Sequence, residues 1–177
     1  MRDSAHYVQF FNNDLSFVQA ISAFLREGIQ SGSTCMAVLT QEHREQVDAR
    51  LRELGLDPTA LAAEYRYIPL DAPTVLASFL NDGVLDQHRF HHDMGRLMRQ
   101  AGSGGRHVCA AGEMASLLAR QAGVALAIQL EELWNELSRH FSFSLFCGYD
   151  TAALPEDIDG KAYRQICAVH SHVIHAD

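Results

Sequence analysis

Apolar positions along the chain switch repeatedly between two spacings. Residues 6–10 form a short strand-like run, and Leu15, Val18, Ile21 and Leu25 then recur at the spacing of one helix face. Asn13 or Asp14 can cap that helix, because a short oxygen-bearing side chain reaches the free amides of the first turn. Gly28 fits its left-handed end. The run "TCMAVL" at 34–39 is β-prone and continuously apolar, which predicts a buried strand. Thr40 caps a second predicted helix on Val47, Leu51 and Leu54, stopped by Gly55 and Pro58. Further strands are predicted over 65–70, 107–111 and 142–147, the last leaving through Gly148-Tyr149-Asp150. Further helices are predicted over 74–80, from Asp86 onward on Phe90, Met94 and Leu97, over 114–121 and over 125–139. A loop with Pro155 precedes a last helix over 162–174. Strands alternating with helices imply parallel crossovers and a sheet covered on both faces. The expected fold is α/β: one three-layer domain over 1–177 with a mostly parallel central sheet of five or more strands. Ligands of such sheets gather at the carboxyl ends of the strands.

Composition narrows the function. With 177 residues, 47% of them hydrophobic, the chain can build one ordinary core. Its formal net charge of −8, with Lys161 as its single lysine, disfavours nucleic acid as a direct partner. Cys35, Cys109, Cys147 and Cys167 sit among apolar neighbours with no C-x-x-C pair, and read as reduced, buried thiols. No apolar run reaches the ~18 residues that span a bilayer, and no signal-peptide pattern is present. A cytoplasmic location away from membranes is therefore expected.

The loop after the first strand, "FFNND", carries no glycine to turn amides toward phosphate and no lysine to neutralise it. ATP hydrolysis is not expected. Phe11, Asn12 and Asp14 read either as a ligand-contacting loop or as a helix cap with core aromatics. Glu113, in "GEM" after the fourth strand, reads as a ligand acceptor or as a carboxylate favoured at a helix start. In "LEELWNEL" the leucines and Trp134 form a core stripe. Glu131 falls near that seam with Asn135 one turn on, and the pair either binds a polar ligand or fastens a neighbouring loop.

Ten histidines invite a metal, but His88, His91 and His92 share a helix face opposite Phe90, Met94 and Leu97, together with Arg96 and Arg99. They read as a solvated face, and no metal ligand is assigned. His170 reads as a half-buried ring satisfying a carbonyl, or as a donor facing a ligand. No G-x-S-x-G elbow exists, and Cys109 and Cys147 lie inside strands, so no catalytic residue is assigned.

Three segments together resemble a known family: "HYVQFFNND" with "FLREGIQSGS", then "GEMASLLARQAGVALAIQLEELWNELSRHFSFSLFCGYD", then "ICAVHSHVI". They are similar to the MEDS family, the methanogen/methylotroph sensory domain, over nearly the whole chain. The resemblance implies a fold related to recombinase-type ATPases without the phosphate-binding loop, and a signal-input role. Such domains stand alone or beside histidine kinases, anti-sigma-type kinases or DNA-binding regulators. Gly148-Tyr149-Asp150 and His175 stand where a common family form has prolines.

The resulting expectation is a non-catalytic sensory domain of bacterial signal transduction or transcriptional regulation, with no cofactor. An unknown small molecule or a partner would bind at the carboxyl edge of the sheet, through Phe11, Asn12, Asp14, Glu113, Glu131, Asn135, Tyr149 and His170. A kinase or transcription regulator would read it out, and a homodimer stays open. The alternatives are an atypical nucleotide-binding protein, a metal-dependent enzyme using histidine and glutamate, and an adaptor with no pocket.

Overall fold

A computed structural model describes residues 4–154 and 160–174. The predicted turn at Pro155 and the position of His175 lie outside the described residues. Strands β1 (His6–Phe11), β2 (Thr34–Leu39), β3 (Tyr67–Asp71), β6 (Val108–Gly112), β7 (Phe143–Asp150) and β8 (His172–Ile174) form one sheet. Its order is β3-β2-β6-β7-β1-β8, with every neighbouring pair parallel. A small antiparallel hairpin, β4 (Leu80–Asn81) and β5 (Val84–Leu85), stands apart.

Alternation along each strand separates two cores. Val8, Met36, Ala110 and Cys147 face α4 (Ala72–Phe79), α5 (Gln87–Ala101), α6 (Met114–Ala122), α7 (Val124–Ser138) and α8 (Lys161–Ala168). Phe11, Ala37, Ala111 and Phe146 face α1 (Asp14–Gln30), α2 (Gln41–Glu53) and α3 (Pro58–Ala63). The three-layer α/β architecture is as expected. Coverage on both sides explains why β2 is apolar throughout and buried at every position.

Four local expectations change. Helix α1 is capped by Asn13, and that phase turns Phe17 inward and leaves Leu15 66% exposed. Gly28 lies inside α1 rather than at its end; a Cβ there would sit 2.7 Å from Cys35 Sγ, so the small residue lets α1 lie close on the sheet. Strand β7 runs on through Gly148 and Tyr149 to Asp150 because β1 pairs with it along its whole length, from His6↔Leu145 to Phe11↔Asp150. The last predicted helix stops at Ala168. Residues 172–174 instead become β8, which supplies backbone partners to the open edge of β1. Ser171 anchors that switch: its hydroxyl accepts from the His6 N–H at 2.8 Å and donates to the His6 carbonyl at 3.0 Å.

Candidate functional site

The connection after β2 runs over the α1–α3 face and that after β6 over the opposite face. The crevice between their carboxyl ends is therefore the switch point at which α/β sheets bind ligands. Here a network of the chain's own side chains bridges it. The buried Glu113 Oε1 accepts from the Thr40 N–H at 2.8 Å and the Thr40 hydroxyl at 2.9 Å. His43 Nδ1 lies 2.9 Å from both carboxylate oxygens, and its Nε2 lies 3.4 Å from Asp14 Oδ1. Phe11 stacks on Phe17 at 4.2 Å, and Phe17 meets the His43 ring edge-on at 5.0 Å. Asn12 is exposed and accepts from Asn13 Nδ2, while Asn13 Oδ1 takes up the Ser16 N–H at 2.9 Å.

Burial opposes charge on His43, but its hydrogen bond to Glu113 and the charges of Glu113 and Asp14 outweigh it, so its pKa rises above 6.5. A raised folded value means that the stabilisation is fully present below the unfolded value and is lost as pH rises through the folded one. Urea midpoints of the wild type are expected to fall between about pH 6 and pH 8, and Glu113→Gln should flatten that slope. An equal slope in the variant would remove His43 as its source.

A second network lies on the other face of the sheet. Helix α7 inserts the fully buried Glu131 beneath β1 and β7. The Tyr149 hydroxyl donates to Glu131 Oε1 at 2.9 Å, and the Cys147 thiol donates to Oε2 at 3.3 Å. His6 Nε2 lies 3.2 Å from Oε2 and 3.4 Å from Cys147 Sγ, and His170 Nε2 lies 3.6 Å from Oε1. Asn135, one turn along α7, sets Oδ1 2.9 Å from His6 Nδ1 and donates through Nδ2 to the Val169 carbonyl at 2.8 Å. His170 Nδ1 lies 2.6 Å from the Ile166 carbonyl. Burial by itself would push the Glu131 carboxyl up, but His170 and His6 outweigh it and hold it well below the usual carboxylate range. Burial likewise opposes charge on His170, and Glu131 with the Ile166 carbonyl raises its pKa on balance. Burial and the Glu131 charge push the Cys147 thiol and the Tyr149 phenol well up, so both stay protonated and donate.

The family model described as MEDS, the methanogen/methylotroph, DcmR sensory domain, matches residues 5–171, a span that includes both networks. The chain belongs to the MEDS family. Its role is accordingly sensory, at the input side of signalling. No curated protein matches it. Among the described residues of this MEDS domain, no helix is long and apolar enough to cross a membrane.

The eight residues expected to share the carboxyl edge fall into two groups in the MEDS domain. Phe11, Asn12, Asp14 and Glu113 are at that edge. Glu131, Asn135, Tyr149 and His170 belong to the second network, which reaches the amino ends of β1 and β7. Tyr149 is not in a departing loop: β7 continues through it, and it is 0% exposed. A cleft of about 360 Å³ opens at this amino end, walled by Trp134, Phe143 and Leu145 and reaching His6, Asn135 and His170. His88 and His92 are exposed as expected, and His91 lies 3.3 Å from Glu136.

Three participants escape a reading of the sequence. Thr40 is legible as a cap, and His43, three residues on, stands where a capping-box partner would reach back, which is the available signal for the pair. His6 and the role of Cys147 have no local signature, since they meet only through the pairing of β1 with β7.

Proposed function

We propose that this MEDS domain is a non-catalytic receiver whose small-molecule ligand enters the cleft at the amino ends of β1 and β7, rather than the carboxyl edge. The observation that carries this reading is the cleft itself, about 360 Å³ in volume, lined by Trp134, Phe143 and Leu145 together with His6, Asn135, His170 and several serines. Such a mixed lining suits a small molecule with both apolar and hydrogen-bonding surface. Asn135 is also the residue that fastens the α8–β8 connection, through the Val169 carbonyl. A ligand that competes for Asn135 biases the position of that connection and of β8, by its difference in affinity for the two arrangements. A separate histidine kinase, anti-sigma-type kinase or transcription regulator reads the shift. The crevice at Glu113, bridged by the chain's own side chains and carrying the carboxylates of Asp14 and Glu113, disfavours a triphosphate there through like-charge repulsion and so supports a non-catalytic reading.

The test is a thermal-shift panel of small alcohols, amides and carboxylic acids on the wild type and on Ser138→Trp, which fills the cleft. Ligand-induced stabilisation of the wild type that disappears in a folded Ser138→Trp supports the proposal. Stabilisation that survives the plug, or its absence across the panel, removes the cleft from the mechanism. A saturable heat with ATP, or phosphate release abolished by Glu113→Gln, would replace this reading with a nucleotide-handling one.

A further inference from the structure

We infer that His6, Glu131, Cys147 and His170 form a binding site for one divalent transition-metal ion of the zinc type, with two imidazole nitrogens, a carboxylate oxygen and a thiolate as its ligands. The four residues come from β1, α7, β7 and the α8–β8 connection, and all are buried. One donor atom of each lies within 4.8 Å of the others. The closest separations are 3.2, 3.3, 3.4 and 3.6 Å. Ligands ~2.0–2.3 Å from one tetrahedral centre stand roughly 3.3–3.8 Å apart; His6, Cys147 and Glu131 Oε2 already meet that spacing, while His170, which lies nearest to Glu131 Oε1, and the remaining pairs, up to 4.8 Å apart, must close in by up to about 1 Å to complete the coordination sphere.

The orientation of the imidazoles is the stronger argument. His170 Nδ1 faces the Ile166 carbonyl, which can only accept, so that nitrogen carries a hydrogen. Asn135 donates its Nδ2 to Val169 and turns Oδ1 to His6, so His6 Nδ1 carries a hydrogen as well. Both rings therefore aim Nε2 at the Glu131 carboxylate and the Cys147 sulfur. Four electron-pair donors converge on one enclosed point, and that point calls for positive charge. His170 Nε2 is buried and makes no hydrogen bond, because its distance to Glu131 Oε1 is too long for one.

A divalent ion resolves this. It balances one thiolate and one carboxylate beside two neutral imidazoles, so the buried site carries no net charge. Binding releases the Cys147 thiol proton and any proton on the two Nε2 atoms, with no change of oxidation state. The outer contacts are those expected around such a centre: Asn135 on His6, the Ile166 carbonyl on His170 and the Tyr149 hydroxyl on Glu131. Mixed sulfur, nitrogen and oxygen donors select an ion of zinc's class over magnesium or calcium, which take oxygen. Four protein ligands leave no open position, which fits a structural or sensing ion rather than a catalytic one. The cleft that reaches His6 and His170 is the entry path. The site shares His6 and His170 with the proposed ligand cleft, but the two readings fail separately: cobalt binding reads the metal alone, and the thermal-shift panel reads the cleft ligand.

The experiment strips the full chain with a chelator and titrates it with Co²⁺ as a spectroscopic stand-in, then with Zn²⁺ as competitor. The expected result is stoichiometric binding, tetrahedral cobalt absorption in the visible and a thiolate-to-cobalt charge-transfer band in the near ultraviolet, all bleached by Zn²⁺. Cys147→Ser should lose the charge-transfer band, Asn135→Ala should weaken binding by about 10–100-fold, and His88→Ala should change nothing. A wild type without the band overturns the site, whether or not the variants fold. A band that persists in Cys147→Ser overturns it too, as do imidazole nitrogen resonances of His6 and His170 that do not change when Zn²⁺ is added.

Discussion

Replacing Glu131 with alanine is expected to destabilise the domain by about 3–5 kcal/mol, read as a lower urea midpoint at neutral pH with chelator present. The carboxylate is wholly buried and is approached by His6, Cys147, Tyr149 and His170. Its removal leaves two imidazoles 4.0 Å apart, centroid to centroid, with no anion between them, and a phenol and a thiol with nowhere to donate. Unmade hydrogen bonds of buried groups cost more than made ones contribute. Glu131→Gln keeps the shape and part of the bonding and should fall between wild type and alanine. Glu132, the next residue, is exposed, and its alanine variant should stay within about 0.5 kcal/mol of wild type. A loss below about 1 kcal/mol for Glu131→Ala would mean that the four partners rearrange freely, which the packing argument forbids.

The second large effect is expected at Gly148. A Cβ there would overlap the ring of Phe17, with Cδ2 only 2.8 Å away. The ring cannot swing aside, because it is fully buried, stacked on Phe11 and edged against His43. Gly148→Ala should therefore cost about 3 kcal/mol through overpacking. Combining it with Phe17→Leu, which removes the ring atoms Cε2 and Cζ that also clash, should recover part of that loss, and the double-mutant cycle measures the coupling. Simple additivity of the two would show that the strain lies elsewhere.

What the sequence reveals follows the range of the interactions involved. Element types and caps are local: Thr40 and Asp86 cap their helices as read, and of the two candidates Asn13 and Asp14 it is Asn13 that caps α1. The seam of α7 is legible from spacing alone, which sets Glu131 near it with Asn135 one turn on; of the two uses open to that pair, Asn135 holds the α8–β8 connection through the Val169 carbonyl. The end of the chain was not legible. "AVHSHVI" carries helix-compatible spacing, and only the unpaired edge of β1 decides for a strand at 172–174. The same distance hides the second network. His6 reads as the polar first residue of a strand and Cys147 as a small hydrophobe, until the sheet order sets them on either side of one carboxylate. Tyr149 was misplaced because glycine before it suggested an exit from the strand, whereas Gly148 is there to admit Phe17.

The position of β1 also fixes an order of assembly. Strand β1, which precedes every other strand of this sheet in sequence, takes both its neighbours from β7 and β8, and its bond to Ser171 spans 165 positions. The β3-β2-β6 half of the sheet can form during synthesis, but β1 must wait until β7 and β8 have emerged. Contacts this distant in sequence are slow to form, so closing the β7-β1-β8 half is the expected late step of folding, and the buried carboxylate of α7 gains its imidazole neighbours only then.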